Sequence, residues 1–154
     1  LVLDCGLVQF RETFPDRYFE CGIAEMDMVS QAGGLALSGK LPVVHSFACF
    51  LTPRANEQIY SNATENSKII YVGSLAGILP SGPGHSHQSV RDIALMSCIP
   101  KMTAFEPSCV EEMIKITTII ATAGPHTNNP SKNLSCNRFI TPGTETSTNS
   151  APHR

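Results

Sequence analysis

Glu25 is the residue on which chemistry in this chain would turn. It stands where Tyr18-Phe19-Glu20-Cys21-Gly22 gives way to a segment with apolar residues at Met28, Val29, Ala32, Leu35 and Ala36, a helical spacing. The reading is a strand-like run feeding a buried helix. A carboxylate in the first turn of such a helix lies near the positive end of its dipole, where it is either a plain helix-start acid or a group placed for proton chemistry. Phe47 and Phe50 lie three apart at the end of an apolar run. Aromatic faces there can enclose a flat heteroaromatic ring, although phenylalanines at this spacing are as readily core. His85-Ser86-His87 brings two imidazoles together without a third ligand or a carboxylate nearby, which is weak as a metal motif. His45 alternates with apolar neighbours and reads as structural.

These residues need elements to hold them. The helix carrying Glu25 is expected to end near Ser38-Gly39, where glycine is the usual stop. Leu41 to Phe47 follows as the clearest strand, β-branched after a proline that fits only a strand's start. A helix then runs through about Ser61, and Ser67 to Ser74 reads as a second buried strand. Leu79 to Gln88 is rich in turn residues and is expected to be a loop. Val90 to Met96 is helical in pattern, Lys101 to Phe105 a short strand, and Ser108 is expected to cap a last helix from Cys109 to about Ala121. At the amino end, Leu1 to Asp4 reads as a first strand in a chain begun inside a longer gene product, and Val8 to Phe14 is ambiguous. Alternating strands and helices predict an α/β domain, with a mostly parallel sheet flanked by helices and ligands gathered at the carboxyl ends of its strands.

Composition narrows the function classes. The 154 residues are 42% hydrophobic, enough for one domain with a real core. A net charge of -2 and a charged fraction of 16% give no basic field for nucleic acid. No run of about 18 apolar residues and no signal-like amino end is present, so the expectation is a soluble, cytoplasmic protein with no membrane association. The six cysteines are spread singly, without a Cys-x-x-Cys pair, and read as reduced packing residues. After Gly124 the chain turns polar and aperiodic, with Phe139-Ile140 its single apolar pair. The expected organisation is a domain over 1–123 and an irregular, disordered tail over 124–154.

Gly22-Ile23-Ala24-Glu25-Met26-Asp27-Met28 closely resembles a signature of the pyrimidine-binding domain of transketolase and its thiamine-diphosphate relatives, Gly-Ile-Ala-Glu-Gln-Asn/Asp-Met, with Met26 in place of the glutamine. The resemblance covers roughly the first 120 residues. It implies the family's thiamine-diphosphate-binding fold and ketol transfer between sugar phosphates. Catalysis in the family needs a carbanion at the thiazolium carbon, made when the cofactor's own amino group removes a proton. The resemblance makes Glu25 the carboxylate that bonds the far nitrogen of the aminopyrimidine and favours the imino form. Ser46-Phe47-Ala48-Cys49-Phe50 matches the family's Phe-x-x-Phe segment, which stacks on that ring. Gly84 to Gln88 lies under the last five positions of Asp-Gly-Pro-Thr-His-Gln, which makes His87 a group that bonds substrate hydroxyls or shuttles a proton.

Departures from the pattern limit what the chain does alone. Pro83 falls where the family has a substrate-contacting aspartate, and Leu75 where full-length enzymes have a further substrate histidine. Neither replacement accepts a proton, so the sugar-phosphate pocket differs from that of one-chain transketolases. The family's Gly-Asp-Gly motif and downstream asparagine, which hold the diphosphate and Mg2+, have no match here. The resemblance therefore implies a diphosphate-binding domain on a partner chain, a homo- or hetero-oligomer, and an isolated chain without activity. Alternatives within the class are a deoxyxylulose-phosphate synthase or the β-subunit of a 2-oxoacid dehydrogenase. Outside it stands a non-catalytic relative that only pairs with a partner.

Overall fold

Two β-branched runs form one half of a four-stranded sheet in a computed structural model that describes residues 2–78, 83–122 and 137–140. β1 (Val43–Phe47) and β2 (Ile69–Ser74) lie side by side and parallel, in the register Val43 to Ile70 and Phe47 to Ser74. β3 (Met102–Phe105) and β4 (Asn137–Ile140) complete a wholly parallel sheet in the order β1-β2-β4-β3. Parallel strands need crossovers, and helices supply those before β2 and β3. The helices are α1 (Val8–Thr13), α2 (Glu25–Leu37), α3 (Ala48–Arg54), α4 (Asn56–Thr64), α5 (Asp92–Ser97) and α6 (Val110–Thr122).

Both faces of the sheet are covered, as the apolar run Ile69-Ile70-Tyr71-Val72 requires. On one face Ile69, Tyr71 and Phe139 pack with Val29 of α2, Leu51 of α3, Ile59 of α4 and Met96 of α5. On the other, Ile70 and Ile140 meet Ile120 of α6. Small residues set the spacing. A Cβ on Gly73 would stand 2.9 Å from the Ala48 Cβ and 3.1 Å from Phe139, so only glycine lets α3 lie this close to β2.

Four expectations are corrected. Val2 to Gly6 forms turns rather than a first strand. The Tyr18 run is also no strand: Pro15–Arg17 makes a 3₁₀ turn and Tyr18 to Ala24 joins no sheet, leaving Phe19 66% exposed. An aromatic run becomes a strand only where an edge is there to pair with it. Finally, the segment expected to be irregular beyond residue 123 contributes β4, whose Phe139 and Ile140 are buried between two neighbouring strands. Ser108 does not cap by its own oxygen. Its N–H and hydroxyl both donate to Glu112 Oε2, at 2.8 and 2.9 Å. Residues 79–82 of the expected loop lie outside the described residues, and Pro83 to Gln88 carries no helix or strand.

Candidate functional site

Glu25 is the first residue of α2, and the turn before it is shaped by the sequence. Gly22 takes φ +71, a conformation that favours glycine, and its N–H donates to Glu20 Oε1 at 3.1 Å. The other oxygen of Glu20 accepts from the Tyr18 hydroxyl at 2.7 Å. These bonds hold the Glu20 carboxyl below its ordinary range, the Tyr18 bond foremost. Thus the aromatic segment expected as a strand instead clamps the approach to Glu25.

The Glu25 side chain is 4% exposed, yet it forms part of the wall of an open cleft of about 520 Å³ with Ile23, Ala24, Met26, Asp27 and Arg54. Arg54 Nη1 donates to both of its oxygens, at 3.1 and 3.2 Å. A withdrawn carboxylate needs such a partner, because an unpaired buried charge is costly.

Phe47 ends β1 and α3 starts at the next residue, which carries Phe50 into that helix's first turn and Arg54 one turn further. Residues four apart on a helix lie on one side. The Arg54 guanidinium accordingly sits over the Phe50 ring, 4.1 Å from its centroid. His87 meets the same ring edge-on at 4.9 Å, and the Phe47 ring is 6.0 Å from Phe50 and 6.4 Å from His87. The His87 turn is fixed by Gly84 at φ +79 and by the His87 N–H donating to the Gly84 carbonyl. Paired bonds between Gly77 and Ser89 close its base. Ser86 Oγ lies 3.0 Å from His87 Nδ1, which engages one ring nitrogen.

Glu25, Phe47, Phe50 and His87, chosen from sequence, thus stand in one contiguous group in which Arg54 joins Glu25 to Phe50. Arg54 itself was missed. Its signal was present in the spacing of four from Phe50, on a helix that starts where the strand ends. His45 has its partner on the neighbouring strand. Its Nε2 is 2.6 Å from Ser74 Oγ, and burial pushes its pKa down to about 4.

The profile described as "Transketolase, pyrimidine binding domain" matches residues 5–131. The chain belongs to this family. The match runs past the boundary expected at residue 123. Two solved transketolases share the fold: that of Campylobacter jejuni, with a TM-score of 0.68 at 18% identity over 80% of this chain, and that of Leishmania mexicana, with 0.66 at 20% over 78%. This chain covers 18% and 16% of those two chains. Among curated relatives, the 1-deoxy-D-xylulose-5-phosphate synthase of Neisseria meningitidis serogroup C is 39% identical over 103 residues, or 67% of this chain. That of Cupriavidus taiwanensis is 37% identical over 113 residues, or 73% of the chain. The chain spans 16% and 18% of the length of these two relatives.

The family implies thiamine diphosphate, and the chemistry of the donor set fits its pyrimidine half. A carboxylate on a cleft, with an aromatic face one residue away in the contact chain, suits a flat ring that offers an N–H. Among the described residues no group of three or more His, Cys, Asp or Glu side chains could hold a metal ion. No helix among them is long and apolar enough to cross a membrane.

Proposed function

We propose that this chain supplies the pyrimidine half of a thiamine-diphosphate site in a cytoplasmic enzyme that transfers two-carbon ketol units between sugar phosphates. A diphosphate-binding domain on a partner chain completes the site and carries the Mg2+ ligands. The observation that carries this reading is the Glu25 carboxylate, withdrawn from water at 4% exposure and still on the wall of a cleft. Ile23 and Met26, on that cleft's rim, are 81% and 56% exposed, which suits a surface that a second domain covers.

When bound, thiamine diphosphate supplies an acidic ring carbon and an electron sink. Glu25 would hydrogen-bond the far nitrogen of the aminopyrimidine and share a proton with it so that the proton can rest on the ring. Phe50 and Phe47 would offer aromatic faces for the ring to pack against and would exclude water. His87, held against Phe50 and bonded to Ser86, turns its remaining ring nitrogen to a substrate hydroxyl as donor or acceptor. Pro83 and Leu75 offer no side-chain proton acceptor, so His87 carries that work with fewer helpers than in one-chain transketolases.

A second reading is synthesis of a 1-deoxy-sugar phosphate, favoured by the 39% identity to the synthases. The two readings differ at one carbon. Ketol transfer leaves a hydroxymethyl group at C1 of the new sugar, and the synthase reaction leaves a methyl group. The test uses the full-length protein with its partner chain, an aldose-phosphate acceptor, a ketose phosphate and a 2-oxoacid offered together as two-carbon donors, thiamine diphosphate and Mg2+, with product C1 followed by NMR. The expected product carries the hydroxymethyl carbon. A methyl carbon selects the synthase, and no cofactor binding by the complex removes both.

A further inference from the structure

The guanidinium of Arg54 stands where the cofactor's ring should go. It is planar and cationic, it donates from Nη1 to both oxygens of Glu25, and its central carbon sits over the Phe50 ring, 4.1 Å from the centroid. An aminopyrimidine engaging the same residues would make the same two contacts, a hydrogen bond between a ring nitrogen and the Glu25 carboxyl with one proton shared between them, and a face against the ring. Among the described residues the cleft is lined by Arg54 and Glu25 but not by Phe50. The guanidinium separates the ring from the cleft and covers the face that a ligand needs.

We propose that Arg54 is a built-in stand-in for the aminopyrimidine, which occupies the Glu25–Phe50 seat in the cofactor-free protein and must swing out before the ring enters. This rests on the thiamine reading above. The geometry gives Arg54 somewhere to go: its side chain is 45% exposed, so it can exchange Glu25 for water, whereas Glu25 at 4% cannot. The stand-in also explains how the empty site tolerates a withdrawn carboxylate, since one partner is always present. Occupancy by Arg54 lowers apparent affinity by the fraction of molecules in which the seat is open. If that fraction is about one tenth, removing the side chain tightens binding about tenfold.

The full-length protein, with its partner chain, is titrated calorimetrically with thiamine diphosphate and Mg2+, and by ligand-observed NMR with 4-amino-5-hydroxymethyl-2-methylpyrimidine, which is neutral at pH 8. Arg54→Met keeps a long apolar side chain and loses the guanidinium. It should tighten both ligands by similar factors, about tenfold. Arg54→Lys keeps the charge without the flat face and should also tighten both. Tightening of thiamine diphosphate alone, without the free pyrimidine and absent in Arg54→Lys, would mean a charge effect on the thiazolium or diphosphate and would overturn the stand-in. Unchanged or weaker binding in Arg54→Met would overturn it too, and weaker binding would make Arg54 a cofactor contact instead. Should Arg54→Met fail to fold, the arginine Nη resonances of the unaltered protein decide. They should lose their Glu25-bonded shift on saturation with cofactor, and retention of that shift overturns the proposal. If the unaltered protein binds neither ligand, the thiamine reading fails first and this inference with it.

Discussion

Glu25, at the start of α2, and His45, in the middle of β1, are both largely withdrawn from water, and they keep different company. Glu25 faces a cation, Arg54 Nη1, at 3.1 Å and sits on a cleft. His45 faces a neutral hydroxyl, Ser74 Oγ, at 2.6 Å across the β1–β2 pair. The first is a charged pair with one half-exposed partner. The second is an uncharged pair that ties two strand tips together. Burial alone therefore does not mark a functional group. What separates the two is whether the partner can be exchanged for a ligand without stranding a charge.

The largest expected effect breaks the comparison on the charged side. Glu25→Gln keeps the shape and a hydrogen-bonding amide but cannot hold the ring proton. Loss of a charge-assisted bond of roughly 3 kcal/mol predicts at least a hundredfold slower exchange of the thiazolium proton for deuterium in the reconstituted complex. Cofactor affinity should fall less. Exchange at the unaltered rate would reduce Glu25 to a helix-start acid.

The uncharged side is tested by pH. Burial lowers the His45 pKa from 6.5 to about 4 in the folded protein. The unfolded chain takes up the proton first, so this group leaves stability undiminished above about pH 6.5 and lowers it as pH falls toward 4. The loss reaches about 3 kcal/mol at most. Urea unfolding at pH 7 and pH 4.5 should show His45→Gln losing this part of the slope and keeping the rest. An identical slope in the variant would place the acid sensitivity elsewhere.

Legibility followed the same division between local and distant causes. α2 could be read because Met28, Val29, Ala32 and Ala36 repeat at helical period and Gly39 follows, and the observed helix ends at Leu37. β1 could be read from Pro42 and its β-branched run. β4 could not, because four residues in a polar stretch owe their strand to β2 and β3 on either side, far away in sequence. The helix expected through about Ser61 is α4, which ends at Thr64, and the lead-in from Ala48 is itself a helix, α3, which stops at Arg54 just after Pro53. In the site, Glu25, Phe47, Phe50 and His87 were found through their motif. Arg54 was passed over because an arginine in a helix is usually a solvated side chain, and its two contacts come from a residue one turn back and another 29 positions away.

The smallest effect sharpens the comparison most. Phe50 stacks on Arg54 in the free protein, and on the stand-in reading it stacks on the ring once the cofactor is bound. Aromatic stacking and cation–π contacts are each worth about 1 kcal/mol at partly exposed sites. Phe50→Leu removes both, so the losses offset and the dissociation constant of thiamine diphosphate should move by less than about threefold. In an Arg54→Met background nothing competes for the ring face. There Phe50→Leu should weaken binding by about fivefold, the full worth of one stack. The coupling between the two substitutions, read from the four dissociation constants of a double-mutant cycle, is the measured quantity. A coupling indistinguishable from zero would mean that Arg54 and the cofactor ring use different faces of Phe50.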